Sequence, residues 1–161
     1  MKAEILATGD EIRSGALVDS NSAFISERLE ENGIEVVRHT CVGDDLSLLV
    51  STFREIGDRV DMAVVTGGLG PTTDDLTAEA AAGAAGVELT LSQTAFENVE
   101  SFFKKFNRPM TDSNRKQALL PDGSKLMYNP VGTAPGFSLK IEKCLFFFLP
   151  GVPYEMKRML A

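Results

Sequence analysis

Two rhythms of apolar residues run along the chain. Residues 3–8 and the unbroken run Met62-Ala63-Val64-Val65 are short and apolar, as strands buried on both faces of a parallel sheet must be. Ile34 to Val42 is rich in β-branched residues and reads as a further strand. Between these runs the period lengthens to that of a helix. Asn21 to Asn32 predicts one, with Ser20 or Asn21 as N-cap and Gly33 just past its end. Leu46, Leu49, Val50, Phe53 and Ile56 recur at i, i+3, i+4, i+7 and i+10, one face of a second helix. Leu76 to Ala85 is an alanine-rich third. This order predicts an α/β fold, a three-layer and mostly parallel sheet with helices on both faces. Ligands of such sheets lie beyond the carboxyl ends of the strands, here residues 8, 43 and 66.

The second half is less regular. Helices are predicted over Ser92 to Phe106 and over Asp112 to Leu119, the latter stopped by Pro121. Leu139 to Ile141 and Cys144 to Leu149 flank Glu142-Lys143 and predict a small β-hairpin near the C-terminus. Val152 to Ala161 reads as an amphipathic helix that ends without a capping signal. Residues 1–161 are thus expected to form one domain, a piece of a longer chain. No stretch approaches the roughly 20 apolar residues of a membrane span, and the first residues do not form a signal peptide.

Charge narrows the partners. Lys+Arg 16 against Asp+Glu 23 gives a net charge of -7, which argues against nucleic-acid and anionic-membrane binding. Any anionic ligand must be met locally. Cys41 and Cys144 form no C-x-x-C pair, and two buried thiols in a cytoplasmic protein is the simplest reading. His39, the only histidine, lies mid-strand and reads as structural; its solitude excludes a histidine triad or a multi-histidine metal site.

Thr66-Gly67-Gly68-Leu69-Gly70-Pro71-Thr72-Thr73-Asp74-Asp75 is the strongest chemical feature. Glycines between a buried strand and a helix start let backbone N–H groups converge on a phosphate; a tight turn alone would explain them too. Neither G-x-x-x-x-G-K-S/T nor G-x-G-x-x-G is present. Asp74 and Asp75 suit either helix capping or a divalent cation that bridges to substrate phosphate, since Mg²⁺ typically takes one or two carboxylates plus phosphate oxygens. Gly9-Asp10-Glu11 and Gly43-Asp44-Asp45 follow the other two strands, so Asp10, Asp44 and Asp75 are expected to face one crevice. Asp19-Ser20-Asn21 could add polar contacts or cap a helix. Asn129 to Gly136 is a second Gly/Pro-rich loop able to present amides and the Thr133 hydroxyl. Arg108, Arg115 and Lys116 are the nearest clustered cations, and solvated surface positions explain them equally.

Five ordered motifs, Gly9-Asp10-Glu11, Asp19-Ser20-Asn21, Thr66 to Asp75, Gly132-Thr133-Ala134-Pro135-Gly136 and Leu149-Pro150-Gly151-Val152-Pro153-Tyr154-Glu155-Met156, closely resemble the CinA family of competence/damage-inducible proteins. The resemblance covers that family's N-terminal domain, which is similar to the molybdopterin-binding MoaB/MogA fold and commonly forms homo-oligomers. It implies a nucleotide or pterin site at Thr66, Gly67, Gly68, Leu69 and Gly70, with Asn21, Gly132, Thr133 and Pro135 contributing. It implies carboxylates at Asp44 and Asp75. Where molybdopterin-binding members usually have Arg-Asp, this chain has Asp74-Asp75, and Leu69 replaces their usual Thr or its equivalent. The extra acid suits a metal-bridged diphosphate. The activity implied is hydrolysis of ADP-ribose to AMP and ribose 5-phosphate, dependent on Mg²⁺, Mn²⁺ or Co²⁺. Asp44, Asp75 and Asp10 would be catalytic, and Asp74 and Asp75 would hold the metal. The alternative is a non-catalytic molybdopterin- or nucleotide-binding module. The family's nicotinamide-nucleotide amidase activity belongs to a separate C-terminal domain and is not expected of these residues.

Overall fold

The computed structural model describes residues Met1–Ala161. In chain order the first half runs β1 (Lys2–Thr8), α1 (Asp10–Arg13), α2 (Ser20–Glu31), β2 (Glu35–Val42), α3 (Leu46–Arg59), β3 (Met62–Thr66) and α4 (Thr77–Ala85). There follow β4 (Leu89–Leu91), α5 (Gln93–Lys105), α6 (Asp112–Arg115), a 3₁₀ turn (Lys116–Ala118), β5 (Leu119–Pro121), β6 (Lys125–Met127), β7 (Gly136–Ile141), β8 (Cys144–Leu149) and α7 (Pro153–Leu160). The main sheet has the order β2-β1-β3-β8-β7-β6, and β4 pairs with β5 in a separate two-stranded sheet. Strands β2, β1, β3 and β8 are parallel neighbours, whereas β7 and β6 are added antiparallel.

Side-chain alternation along the inner strands divides the core into two layers. Ala3 and Ile5 of β1, Val64 of β3 and Leu149 of β8 face Ile25 and Leu29 of α2 and Met156 of α7. Leu6, Ala63, Val65, Phe146 and Phe148 face the opposite way, against Leu49, Phe53 and Ile56 of α3 and the alanines of α4. Phe53 packs edge-on against Phe146 and Phe148, with centroids 5.8 and 5.5 Å away. The expected three layers are therefore present. One charged side chain is buried among the apolar strands: Glu4 is 1% exposed and is gripped by Arg59, whose Nε and Nη2 donate at 2.6 and 3.0 Å.

Several sequence expectations change in detail. The N-cap of α2 is Asp19, whose side chain accepts from the Ser22 amide at 3.0 Å, rather than Ser20 or Asn21. The helix expected over Asp112 to Leu119 ends at Arg115; the chain tightens into the 3₁₀ turn, and Leu119–Pro121 pairs antiparallel with Leu89–Leu91. Leu120 precedes a proline, which disfavours helix there, and tertiary pairing takes the segment into a strand. The hairpin at Glu142-Lys143 is present and longer than expected, and its second strand, β8, sits inside the sheet beside β3. Cys41 is exposed, not buried, because β2 is an edge strand; Cys144 alone is buried. His39 shares that exposed edge. No helix is long and apolar enough to cross a membrane.

Candidate functional site

All four parallel strands end on the same side, and the turns that leave them surround one cleft of about 660 Å³. Its walls include Thr8-Gly9 after β1, Asp44 after β2, Thr66 to Thr72 after β3 and Pro150 to Pro153 after β8, with Thr133 and Ala134 at one side. This is the crevice that a doubly wound sheet builds from its own topology.

The loop after β3 is held open by glycine geometry. Gly67 and Gly68 have φ of 98° and 70°, a left-handed region that favours glycine. A Cβ on Gly67 would lie 2.7 Å from the Thr8 carbonyl oxygen, and one on Gly68 would overlap Thr77 Oγ1. The Gly67 amide donates to Leu149 O at 3.0 Å, and the Thr77 hydroxyl and amide donate to the carbonyls of Gly67 and Gly68 at 2.8 and 3.2 Å. The loop is thereby tied to β8 on one side and α4 on the other. The amides of Gly68, Leu69 and Gly70 donate to no protein acceptor. Successive unpaired backbone donors in a glycine turn are the groups from which anion-binding concavities are built.

The acids divide by role. Asp75 Oδ2 accepts from the Thr72 amide and hydroxyl at 2.9 and 2.7 Å, and so closes the turn. Lys116 Nζ donates to the carbonyls of Thr72 and Asp75, so this cation secures the loop. Asp74 is exposed at the cleft. Asp10 and Asp44 are cross-linked, the Asp10 amide donating to Asp44 Oδ2 at 3.3 Å and the Asp44 amide to Asp10 Oδ1 at 3.1 Å. Burial pushes the Asp44 carboxyl above the ordinary carboxylate range; the Asp10 amide opposes this, and the like charges of Asp10, Glu11 and Asp74 add to it. Asp10 itself does not line the cleft as expected, because its carboxylate pairs with Arg13 at 3.4 Å and with the Asp44 amide. Glu11 lines it instead.

Asn21 lines the cleft, with Nδ2 donating to Gly151 O at 2.8 Å. Thr133 lines it and accepts from Gln117 Nε2 at 3.0 Å. Leu69 and Gly70 form the wall between the cleft and a small pocket of about 20 Å³ behind the loop, and Pro135 belongs to that rear pocket. Gly132 lies beside the cleft against the Glu155 carboxylate. Arg115 stacks over Phe96 at 5.9 Å, and neither it nor Arg108 lines the cleft. Asp19, of the Asp19-Ser20-Asn21 segment expected to add polar contacts or cap a helix, lines the cleft as well as capping α2, whereas Gln117 and Glu155 were not expected as site residues. Their distance in sequence from the glycine loop hides them, although Glu155 belongs to the last motif.

Six carboxylates, of Glu11, Asp19, Asp44, Asp74, Asp75 and Glu155, line the cleft, and no Lys, Arg or His does. No three His, Cys, Asp or Glu side chains are grouped so as to hold a metal ion by themselves. A cation held here would take one or two of these carboxylates and complete its shell with ligand phosphate and water.

Residues 4–161 match the family described as "probable molybdopterin binding domain". The chain is 51% identical over 160 residues to a CinA-like protein of Desulfosudis oleivorans and equally to one of Citrifermentans bemidjiense, in each case covering 99% of this chain and 39% of the relative. It thus spans about two-fifths of the length of these curated relatives. Among solved structures, a protein CinA of unknown function from Thermoplasma acidophilum superposes with a TM-score of 0.91 at 36% identity, covering 99% of this chain and 93% of that one. The molybdopterin biosynthesis enzyme MoaB of Thermus thermophilus shares the fold with a TM-score of 0.65 at 20% identity, covering 99% and 86%. The chain belongs to the CinA family, and its described residues form that family's molybdopterin-binding-type domain.

Proposed function

We propose that the cleft hydrolyses a nucleotide diphosphate with the help of a divalent cation, and that ADP-ribose is split into AMP and ribose 5-phosphate. One observation carries this reading: three unpaired amides of Gly68, Leu69 and Gly70 adjoin a cleft lined by acids and by no cationic side chain. A diphosphate placed there is repelled by the carboxylates unless a cation lies between them. Asp74 and Asp75 would hold that cation. Mg²⁺, Mn²⁺ or Co²⁺, when bound, supplies charge neutralisation and Lewis-acid activation.

The chain's own groups then divide the work. The free amides hold a phosphate through its oxygens. Thr66 and Gly67, fixed against β8, set the loop's approach, and Asn21 and Thr133 contact the rest of the ligand. Asp44, made more basic by burial and by neighbouring acids, accepts a proton from the attacking water. Water adds to one phosphorus, the bridging P–O bond breaks, and the released oxygen leaves on the other phosphate. Asp10 acts on Asp44 through their crossed amide bonds, as a positioning residue. Self-association, a cytoplasmic location and a separate amidase domain in longer relatives belong to the same proposal.

The test is turnover by Asp75→Asn and Asp74→Asn, with the fold checked by circular dichroism. Loss of metal-dependent AMP release in a folded protein supports the reading, and unchanged release contradicts it. A second reading, a molybdopterin- or nucleotide-binding module without turnover, is favoured by the family's description and by Asp75's role in closing its own loop. Saturable AMP binding with no hydrolysis would select it.

A further inference from the structure

Glu155 is held with more care than a surface acid requires. It stands in the first turn of α7, where any acid complements the helix dipole. Yet its Oε2 accepts from Asn129 Nδ2 at 2.8 Å, and Asn129 is 5% exposed. Asn129 is itself fixed, donating to Ala134 O at 2.9 Å and accepting from the Val131 amide at 3.1 Å. Gly132 completes the arrangement, since a Cβ there would overlap the Glu155 carboxylate. Glu155 lines the cleft, and its Oε1 takes no hydrogen bond from the protein.

Asn21 fixes the neighbouring part of the same wall. Asn21 is 8% exposed and lines the cleft; its amide nitrogen donates to Gly151 O at 2.8 Å, and its Oδ1 is buried out of reach of solvent. Gly151 sits in the turn that leads into α7, two residues before Pro153, so Asn21 holds the turn from which Glu155 projects. A wall that offers the free oxygen of a positioned carboxylate repels phosphate and accepts hydrogen bonds from O–H or N–H donors.

We propose that Glu155 is a specificity-determining residue that accepts a hydrogen bond from a neutral donor on the nucleoside part of the ligand, with Asn129 and Gly132 setting its position. This rests on the nucleotide reading above and extends it: the glycine loop takes the phosphate, and the Glu155 wall takes the uncharged end. The donor is a ribose hydroxyl or the amino group of the base.

The experiment measures Kd by calorimetry for AMP, 2′,3′-dideoxyadenosine monophosphate and purine riboside monophosphate, with the divalent cation present, in wild type, Glu155→Gln and Gly132→Ala. Glu155→Gln is expected to weaken AMP about tenfold, the scale of one lost charge-assisted hydrogen bond. Gly132→Ala displaces the carboxylate without changing its charge and is expected to weaken AMP likewise. The ratio between wild type and Glu155→Gln should collapse toward one for the analogue that lacks the donor. Collapse with the dideoxy sugar assigns the hydroxyls; collapse with purine riboside assigns the base amino group. An unchanged Kd, or an equal loss for all three ligands, overturns the proposal. KM for ADP-ribose should rise with Kd, and a fall in kcat at unchanged Kd would overturn the assignment as well. A wild-type protein that binds AMP and releases none from ADP-ribose contradicts the hydrolase reading, and Kd alone then decides this one. Failure of the wild type to bind AMP overturns both.

Discussion

Asp10 and Asp44 each accept a hydrogen bond from the other's backbone amide, at 3.1 and 3.3 Å, and so lock the turn after β1 to the turn after β2. Burial, with the like charges of Asp10, Glu11 and Asp74, pushes the Asp44 carboxyl above the ordinary range against the opposing hydrogen bond from the Asp10 amide. In the window above the ordinary carboxylate pKa the folded protein binds more protons than the unfolded one, so this group's contribution to stability falls as pH rises. Asp44→Asn should flatten that part of the curve of Tm against pH and leave no ADP-ribose turnover. In wild type the acid limb of kcat/KM should lie above the ordinary carboxylate range. An unaltered Tm profile together with retained turnover would contradict both roles.

Gly68→Ala should be among the most damaging changes at the loop. The left-handed backbone costs a non-glycine residue about 1–3 kcal/mol, and the added methyl overlaps Thr77 Oγ1. The expected outcome is a lowered Tm and lost AMP binding, read by thermal denaturation and calorimetry.

Arg59→Met acts at the buried pair with Glu4 and does not touch the cleft. Leaving a buried carboxylate without its partner should cost about 3 kcal/mol or more in denaturant unfolding at neutral pH. KM of the folded fraction should stay at the wild-type value.

The two cysteines should titrate separately. Cys41 is exposed, although burial of its sulfur and the nearby Asp19 charge raise its pKa; Cys144 is buried and pushed up to about 12. A thiol reagent at pH 8 should modify one group per native chain, more slowly than an ordinary free thiol, and two in denaturant. Two groups modified at equal rates in the native state would be inconsistent with this burial.

The sheet and its cleft were legible where local signals agree. The run Met62-Ala63-Val64-Val65, the glycines after it and the alanine-rich α4 each specify their own conformation, and topology alone then collects the strand-end turns on one side. Segments that depend on partners were not legible. Leu119–Pro121 becomes a strand only because Leu89–Leu91 lies beside it. Exposure of Cys41 follows from β2 being the outermost strand, a fact of strand order that β-branched composition does not reveal. Asp10 carries the same Gly-Asp signal as Asp44, yet its neighbour Arg13 and the Asp44 amide hold it outside the cleft. Glu155 depends on Asn129, 26 positions away in sequence.

Release of AMP from ADP-ribose by the purified chain, with Mg²⁺, Mn²⁺ or Co²⁺ and with EDTA as control, tests the central claim most directly. AMP that forms with the cation, stops with EDTA and is lost in Asp75→Asn is the expected result. Saturable AMP binding without any AMP release under the same conditions would contradict it.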